Sequence, residues 1–166
     1  MKKTIYAGSF NPITNGHLDI IRKASNLFDE IIILLASNSY KNDFLKPSQR
    51  EYLIRDSINF CGYKNVSVFT LDITNTVIDY AKTHNCNYLI RGLRNFYDLN
   101  YEQNIYNINK NIDNSIETIF FMPELENSMI SSSNVRELYK YKKFDVIEKY
   151  VPKTIFEFLT KKNKKC

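Results

Sequence analysis

A loop from Gly8 to His17, with the sequence GSFNPITNGH, contains residue types that bind phosphate. Glycine lets a ligand approach the backbone closely because it has no Cβ. The segment after the loop has a helical pattern, and the free amides at the start of a helix attract anions. Ser9 adds a hydroxyl, and His17 can donate a hydrogen bond to a phosphate oxygen. A strand-to-helix turn in which His17 only caps the helix explains the same residues, so their spacing leaves both interpretations open.

Other side chains with phosphate-binding chemistry lie further along the chain. Arg91 and Arg94 follow a buried apolar run, and a planar guanidinium group suits phosphate oxygens, although loop arginines often form surface ion pairs. Lys41 lies in a polar loop, where a lysine is usually solvated. Glu102 is typical of an i,i+4 partner on a helix, and the serines 131–133 are typical of a helix N-cap with its neighbours. Each of these residues keeps a purely structural interpretation when it is taken singly.

The elements that position these residues alternate between short β-rich runs and longer helical runs. We predict strands at 3–7, 30–36, 65–71, 87–90 and 117–122, helices near 17–28, 48–60, 76–85 and 98–111, and helical packing over 132–161. Such alternation favours a single-domain, doubly wound α/β fold, with a parallel five-stranded sheet and helices on both faces. Ligands in these folds bind beyond the carboxyl ends of the strands. That rule selects the loops after Ala7, Ala36, Leu71, Ile90 and Met122, which hold nearly all of the residues above.

Two local patterns support the helices. An apolar stripe at helical spacing predicts the buried face of the helix at 17–28, and it consists of Leu18, Ile21, Ala24, Leu27 and Phe28. Ser48 and Glu51 have the spacing of a capping box, which predicts the start of the helix at 48–60.

Composition narrows the class of protein. The 166 residues include 43% hydrophobic and 25% charged residues, as in soluble globular proteins, and no apolar run is long enough to span a membrane. No signal peptide is evident, so we expect a cytoplasmic protein without a membrane partner. The sequence has three scattered cysteines and two histidines, which favours neither a zinc site nor structural disulfides. We expect one domain over 1–160 and a basic tail over 161–166. The net charge of +5 and this lysine-rich tail leave a nucleic-acid-binding module as the rival from another class.

Four motifs occur in a specific order and spacing. GSFNPITNGH at 8–17 fits G-[ST]-F-D-P-x-T-x-G-H, IRGLR at 90–94 fits I-R-G-[LI]-R, and Tyr101-Glu102 supplies a Y-E pair that follows it. ISSS at 130–133 with Val135-Arg136 fits I-S-S-[ST]-x-[VI]-[RK]. Together they resemble the motifs of bacterial phosphopantetheine adenylyltransferases, a family of the nucleotidyltransferase superfamily. Two positions depart from the family pattern: Asn11 stands where the family has Asp, and Asn127 stands where many relatives have an aromatic residue.

The resemblance implies a Rossmann-like nucleotidyltransferase domain that transfers the adenylyl group of ATP to 4′-phosphopantetheine, giving 3′-dephospho-coenzyme A and pyrophosphate. It implies the catalytic residues His17, Lys41 and Arg91, and the acceptor-binding residues Ser9, Lys41, Val77 and Arg91. The ATP-binding residues that it implies are Ser9, Phe10, His17, Gly92, Leu93, Arg94, Glu102, Asn127, Ser128, Met129, Ile130, Ser131, Ser132 and Ser133. It also implies Mg²⁺ on the β- and γ-phosphates, a homohexamer and feedback by coenzyme A. No carboxylate cluster in the sequence marks a site for the metal ion.

The nearest rival is an adenylyltransferase that acts on nicotinate mononucleotide. That family usually has H-x-G-H in the first motif, whereas this chain has Thr14-Asn15-Gly16-His17, and it lacks the paired IRGLR and Y-E motifs. Cytidylyltransferases carry R-T-x-G-I-S-T-[ST] near the end of the chain, where this sequence has MISSS. The resemblance therefore favours ATP as the nucleotide, phosphopantetheine as the acceptor and no nucleic-acid partner.

Overall fold

The computed structural model describes residues 1–36 and 44–163. The strands are β1 (Lys3–Gly8), β2 (Glu30–Leu35), β3 (Val66–Thr70), β4 (Tyr88–Gly92) and β5 (Glu117–Phe121). The helices are α1 (Asn15–Ser25), α2 (Pro47–Cys61), α3 (Val77–Thr83), α4 (Phe96–Ile112), α5 (Ser132–Lys140), α6 (Phe144–Tyr150) and α7 (Lys153–Asn163), with a 3₁₀ turn at Leu125–Asn127.

The five strands form one parallel sheet in the order β3-β2-β1-β4-β5. The chain builds outward from β1 to β3, then returns to place β4 on the other side of β1, so the strand order reverses between β1 and β4. Buried side chains form one apolar cluster on each face of the sheet, and helices cover both clusters. The predicted doubly wound fold is confirmed, and the reversal between β1 and β4 is the point where such folds bind ligands.

The predicted elements all exist, and their ends differ from the prediction by at most three residues. Helix α1 begins at Asn15 and ends at Ser25, earlier than predicted. Ile21 and Ala24 of the predicted stripe are fully buried, but Leu27 lies beyond the helix and is 62% exposed. Ile20, which the predicted stripe omits, is buried in its place. Within the described ranges, no helix has the length and apolar character to cross a bilayer.

The predicted capping box at Ser48 and Glu51 is wrong. Helix α2 begins two residues before Gln49, at Pro47, and the Gln49 Oε1 accepts a hydrogen bond from the Lys46 amide at 3.0 Å. Proline is favoured at the first helical position, since its missing N–H has no partner there and its φ is already helical. Glu51 is instead an acceptor for the Arg55 guanidinium one turn later, at 2.8 Å.

The C-terminal region predicted as helical packing consists of α5, α6 and α7. Helix α7 continues to Asn163, so the first three residues of the predicted tail, 161–163, belong to that helix. Residues 164–166 of the tail lie outside the described residues.

Candidate active site

A cavity of about 230 Å³ opens at the carboxyl ends of β1 and β4, between the first turns of α1 and α5. Its walls come from the first loop (residues 8–17), the end of β4 and the serine turn (residues 130–133) at the start of α5. The lining residues are Tyr6, Ala7, Gly8, Ser9, Phe10, Thr14, Gly16, His17, Ile20, Arg91, Gly92, Arg94, Glu102, Pro123, Ile130, Ser131, Ser132, Ser133 and Arg136. Residues as far apart in the chain as Gly8 and Arg136 therefore line one cavity, at the switch point of the sheet.

Side chains from other elements hold the backbone of the first loop. Three of its carbonyl oxygens and that of Ala7, just before it, accept hydrogen bonds from side chains: Ala7 from Arg91 Nη1 (2.6 Å), Ser9 from Arg50 Nη1 (3.0 Å), Asn11 from Arg136 Nη1 (2.8 Å) and Pro12 from Ser132 Oγ (2.8 Å). The donors lie on β4, α2 and α5. Because three of them are guanidinium groups, the contacts that fix the loop also bring positive charge to it.

Phe10 folds back over Gly8 within this loop. A Cβ on Gly8 would lie 3.1 Å from the Phe10 ring, closer than most such contacts, so glycine suits this position. Phe10 itself has φ 42°, in the left-handed region, and its side chain is 2% exposed in the core. The Phe10 ring is therefore a core residue, and a ligand in the cavity can reach mainly its backbone.

His17 lies half-buried at the start of α1, where its ring is fixed from two sides. The Thr14 amide donates to His17 Nδ1 at 3.1 Å, and the Phe10 ring packs edge-on at 5.1 Å between centroids. Burial, together with the charges of Arg94 and Arg91, lowers the pKa of His17 to about 4. The ring is neutral at pH 7, and since Nδ1 accepts from an amide, the proton is on Nε2. Among the described residues Nε2 has no partner, so its N–H is available to a ligand in the cavity.

Arg91 and Glu102 form a bidentate ion pair beneath the cavity. Arg91 Nε and Nη2 donate to Glu102 Oε2 and Oε1, each at 2.6 Å, and Nη1 donates to the Ala7 carbonyl. Burial lowers the pKa of Arg91, but the Glu102 carboxylate more than offsets this, so the pKa is raised. Three of the five guanidinium donors are used by the protein, which leaves the other two for a ligand. Glu102 is 8% exposed, and both of its oxygens are engaged by Arg91.

Arg94 joins the loop after β4 to the serine turn. Its Nε and Nη2 donate to the Asp98 carboxylate at 2.7 and 2.9 Å, and its Nη1 donates to the Ile130 carbonyl at 3.3 Å. Gly92 lies beside it, with Ile20 packed against its Cα face.

The three serines have different tasks in the fold. Ser131 is the N-cap of α5, because its Oγ accepts from the Asn134 amide at 3.0 Å. Ser132 ties the helix to the first loop, and the Ser133 Oγ accepts from Arg136 Nη2 at 2.9 Å. Because Ser131, Ser132 and Ser133 line the cavity, the N-terminus of α5 lies at its wall, and a helix N-terminus favours an anion.

The remaining predicted residues lie outside this cavity. Leu93 is half-buried behind it, where its amide donates to the Phe121 carbonyl at 2.8 Å. Asn127, Ser128 and Met129 form the approach to the serine turn and do not line the cavity, and Met129 is 75% exposed. Lys41 lies outside the described residues, so its predicted role stays a prediction.

Val77 lines a second, smaller cavity of about 100 Å³. Its other lining residues are mostly apolar and include Ile105 of α4, with Asn109 as the uncharged polar side chain among them. Ala7 and Arg91 line both cavities, so the two meet at the carboxyl edge of the sheet.

Several cavity residues were not predicted. Arg136 and Thr14 belong to the motifs at 130–136 and 8–17, but the resemblance assigns no role to either residue. Tyr6 lies within the buried run of β1, which on sequence alone indicates only a core strand. Arg50, which holds the first loop without lining the cavity, was not predicted either, since nothing local in α2 indicates a contact with Ser9, which lies 41 residues earlier.

Asn11, which stands where the family has Asp, makes a structural contact in the core. It is 2% exposed, and its Oδ1 accepts from the Leu45 amide at 3.0 Å. Asn11→Asp keeps this acceptor, so we expect kcat within a few-fold of the original. Asn11→Ala leaves a buried amide unpaired and should lower the free energy of unfolding by about 1–3 kcal/mol. Steady-state kinetics and urea unfolding measure both, and a gain in kcat of ten-fold or more in Asn11→Asp would show that a carboxylate there takes part in the chemistry.

Comparison with known proteins agrees with this geometry. A family model described as cytidylyltransferase-like matches residues 5–138. The chain is 40% identical over 160 residues to a phosphopantetheine adenylyltransferase from Campylobacter curvus, covering 96% of this chain and 99% of the relative. It is 37% identical to one from Streptococcus mutans, covering 95% and 92%.

Among solved structures, a Plasmodium falciparum nicotinic acid mononucleotide adenylyltransferase complexed with NaAD matches with a TM-score of 0.75. It shares 21% identity, and the match covers 98% of this chain and 97% of that one. At this identity the likeness concerns the fold alone, whereas the relatives above match in sequence over nearly their whole length. The chain belongs to the phosphopantetheine adenylyltransferase family.

Proposed function

We propose that the protein transfers the adenylyl group of ATP to 4′-phosphopantetheine in the larger cavity, giving 3′-dephospho-coenzyme A and pyrophosphate. The observation that carries this proposal is the convergence of His17 Nε2, two free N–H groups of Arg91 and the first turn of α5 on one cavity. These are donors for phosphate oxygens. The hydroxyl that pairs with a base among the lining residues, Thr14 Oγ1 at 2.8 Å from His17 Nδ1, belongs to the cap of α1. Such a site suits phosphoryl-group chemistry that depends on positioning and charge.

The reaction needs no general base. A phosphate monoester is largely ionised near neutral pH, so one of its oxygens attacks the α-phosphorus of ATP directly. A new P–O bond forms as the bond to the bridging oxygen of pyrophosphate breaks, and that oxygen takes the electron pair. Negative charge builds on the α-phosphate oxygens, where the neutral His17 donates from Nε2.

The two cavities suggest where the phosphate and the arm of the acceptor bind. We place its phosphate near Arg91, which both cavities share, with Ser9 and Lys41 as the other predicted contacts. The second cavity, lined by Val77, Ile105 and Asn109, offers an apolar wall with one amide to the rest of the acceptor. Pantetheine has this character, since its arm combines apolar carbons with amide groups. On the nucleotide side we assign the ATP contacts to Gly92, Arg94 and the serine turn.

Mg²⁺ remains a prediction, and the described residues do not offer it a ligand set. They contain no group of three or more His, Cys, Asp or Glu side chains placed to bind a metal ion. The carboxylate that lines the cavity, Glu102, is fully engaged by Arg91. Any Mg²⁺ that accompanies ATP is therefore expected to rest mainly on phosphate oxygens, and the roles proposed above do not depend on it.

The test is release of pyrophosphate by the purified protein with each pair of substrates. ATP with 4′-phosphopantetheine should give rapid release, and ATP with nicotinate mononucleotide should give none above background. CTP in place of ATP should also be inactive. Turnover with nicotinate mononucleotide but not with phosphopantetheine would select the alternative adenylyltransferase instead.

We further propose a cytoplasmic homohexamer that coenzyme A inhibits. Three aromatic residues of α4, Phe96, Tyr97 and Tyr101, are 77%, 85% and 61% exposed, which supports their availability for subunit contacts. Light scattering coupled to size exclusion measures the assembly, and competition between coenzyme A and ATP measures the feedback.

The basic tail gives a prediction that separates this function from nucleic-acid binding. Removal of residues 164–166 should leave kcat/KM within about two-fold, since none of the residues to which adenylyl transfer is assigned belongs to this segment. The cut spares Lys162, whose Nζ donates to the Phe44 carbonyl at 2.6 Å and lies 4.8 Å from the Phe44 ring. Lys162→Met is the matched control for loss of that contact. A large loss of activity on removing 164–166, together with salt-sensitive DNA or RNA binding by the full chain, would favour the rival.

A further inference from the structure

Tyr6 is a buried residue of the larger cavity for which the proposed chemistry has no use. It lies in β1, paired with Ile90 of β4, and is 6% exposed. Its ring packs edge-on against Phe10 at 5.3 Å and lies 6.3 Å from the His17 ring, measured between centroids. These contacts hold the ring in one orientation on the face of the sheet that α1 covers.

The hydroxyl of Tyr6 lies at the floor of the cavity. A Cβ built on Gly92 would be 3.7 Å from Tyr6 Oη, which places this oxygen beside the end of β4. Within the described ranges the hydroxyl has no hydrogen-bond partner, although the residue is more than nine-tenths buried. Tyr6 Oη is not among the fully buried side-chain atoms that lack a partner, so this oxygen opens to the cavity while its ring is buried, and its hydroxyl is available to a ligand there.

The surroundings favour a neutral hydroxyl that donates. Burial raises the pKa of Tyr6 well above its usual value, and the nearby Arg91 and Arg94 only partly oppose this. The group is therefore protonated throughout the range in which the enzyme works. The same two arginines, with His17, surround the space into which the hydroxyl faces, and all three are donors that attract an electron-rich ligand.

We propose that the Tyr6 hydroxyl donates a hydrogen bond to an oxygen or nitrogen of the bound nucleotide and is a binding residue of the adenylyl-transfer site. The unpartnered hydroxyl, its rigid ring and its position beside Gly92 in the cavity carry this inference. It rests on the proposed function, because it takes the nucleotide to occupy the larger cavity.

Tyr6→Phe tests the proposal, because it removes one oxygen and keeps the ring packing. Calorimetric titration with ATP should give a Kd raised about ten-fold, as expected for a lost hydrogen bond to a desolvated or charged partner. The melting temperature of the free protein should stay the same or rise, since no protein partner is lost. Its increase on adding saturating ATP should be smaller than in the original protein. Tyr88→Phe is the control, since Tyr88 is a half-buried tyrosine at the opposite end of β4, and it should leave the ATP Kd unchanged.

Adenosine serves as a second probe that locates the contact. Weakening of both adenosine and ATP places the bond on the nucleoside, and weakening of ATP alone places it on a phosphate oxygen. An ATP Kd within two-fold of the original in Tyr6→Phe would overturn the proposal. If the original protein binds ATP but uses no phosphopantetheine, the proposed acceptor fails, whereas the Tyr6 result still decides the proposal about the nucleotide.

Discussion

His17→Ala is expected to lower kcat by about 10²- to 10³-fold while the Kd for ATP changes by less than about three-fold. The Nε2–H of His17 is a neutral donor, and it gains strength as charge accumulates on the α-phosphate during attack. In the ground state the same contact competes with several other donors in the cavity, so its loss costs little binding. Pyrophosphate release under saturating substrates gives kcat, and calorimetry gives the Kd.

The matched control for His17→Ala is His17→Gln, which keeps a side-chain N–H donor. It should recover part of the lost kcat, because its amide reaches toward the same region without the fixed geometry that Thr14 and Phe10 give the imidazole ring. A loss in ATP affinity as large as the loss in kcat would contradict the assigned role, since it would mean that the contact binds substrate and transition state equally.

The lowered pKa of His17 predicts how kcat and the free energy of unfolding depend on pH. With a pKa of about 4, the ring is already neutral at pH 5.5, so kcat should show no acidic limb near 6.5 from this residue. The unfolded chain has an ordinary histidine and binds more protons than the folded one between pH 6.5 and 4. Stability should therefore fall as the pH drops through this window, relative to His17→Gln, by at most about 3 kcal/mol. Urea unfolding of both proteins at several pH values measures the difference, and parallel profiles would refute it.

Glu102→Ala is expected to have the second large effect, on stability and on activity together. It leaves the half-buried Arg91 without its bidentate partner, which should reduce the free energy of unfolding by about 3–5 kcal/mol. The freed guanidinium also loses the orientation that directs its remaining donors into the cavity. We therefore expect kcat/KM for phosphopantetheine to fall by about 10²-fold or more. Urea unfolding and steady-state kinetics give the two numbers.

The double variant Arg91→Met with Glu102→Leu separates these effects. Two apolar side chains of similar volume remove the unpaired charge, so stability should return close to that of the original protein or exceed it. Activity should not return, because the donors of Arg91 are gone. Recovery of activity in the double variant would show that the ion pair serves the fold alone.

The sequence predicted the sheet well because local pattern decides it. The apolar run of β2 at Glu30–Leu35 is buried almost throughout, and a central parallel strand requires such a run. Helix ends were less predictable. Ser48 and Glu51 had the spacing of a capping box, but the proline before them starts the helix earlier. A competing local signal of similar strength therefore shifted the helix start by one residue.

The candidate site was predictable in part of its membership and not in its geometry. Motif resemblance selected His17, Arg91 and Arg94, and all three line the cavity. Resemblance could not show that both Glu102 oxygens are engaged by Arg91, since this pairing depends on how α4 packs beside β4. The Tyr6 hydroxyl was equally hidden, because only the three-dimensional surroundings reveal that it has no partner.

Arg91 and Ala7, where the two cavities meet, have a consequence for inhibitor design. A compound that binds one cavity and a compound that binds the other can be joined across this junction by a very short linker. Such a bisubstrate inhibitor gains from the high effective concentration of its second half once the first is bound. A rigid linker shaped to pass Arg91 would also make selectivity depend on two unrelated surfaces, one polar and one apolar.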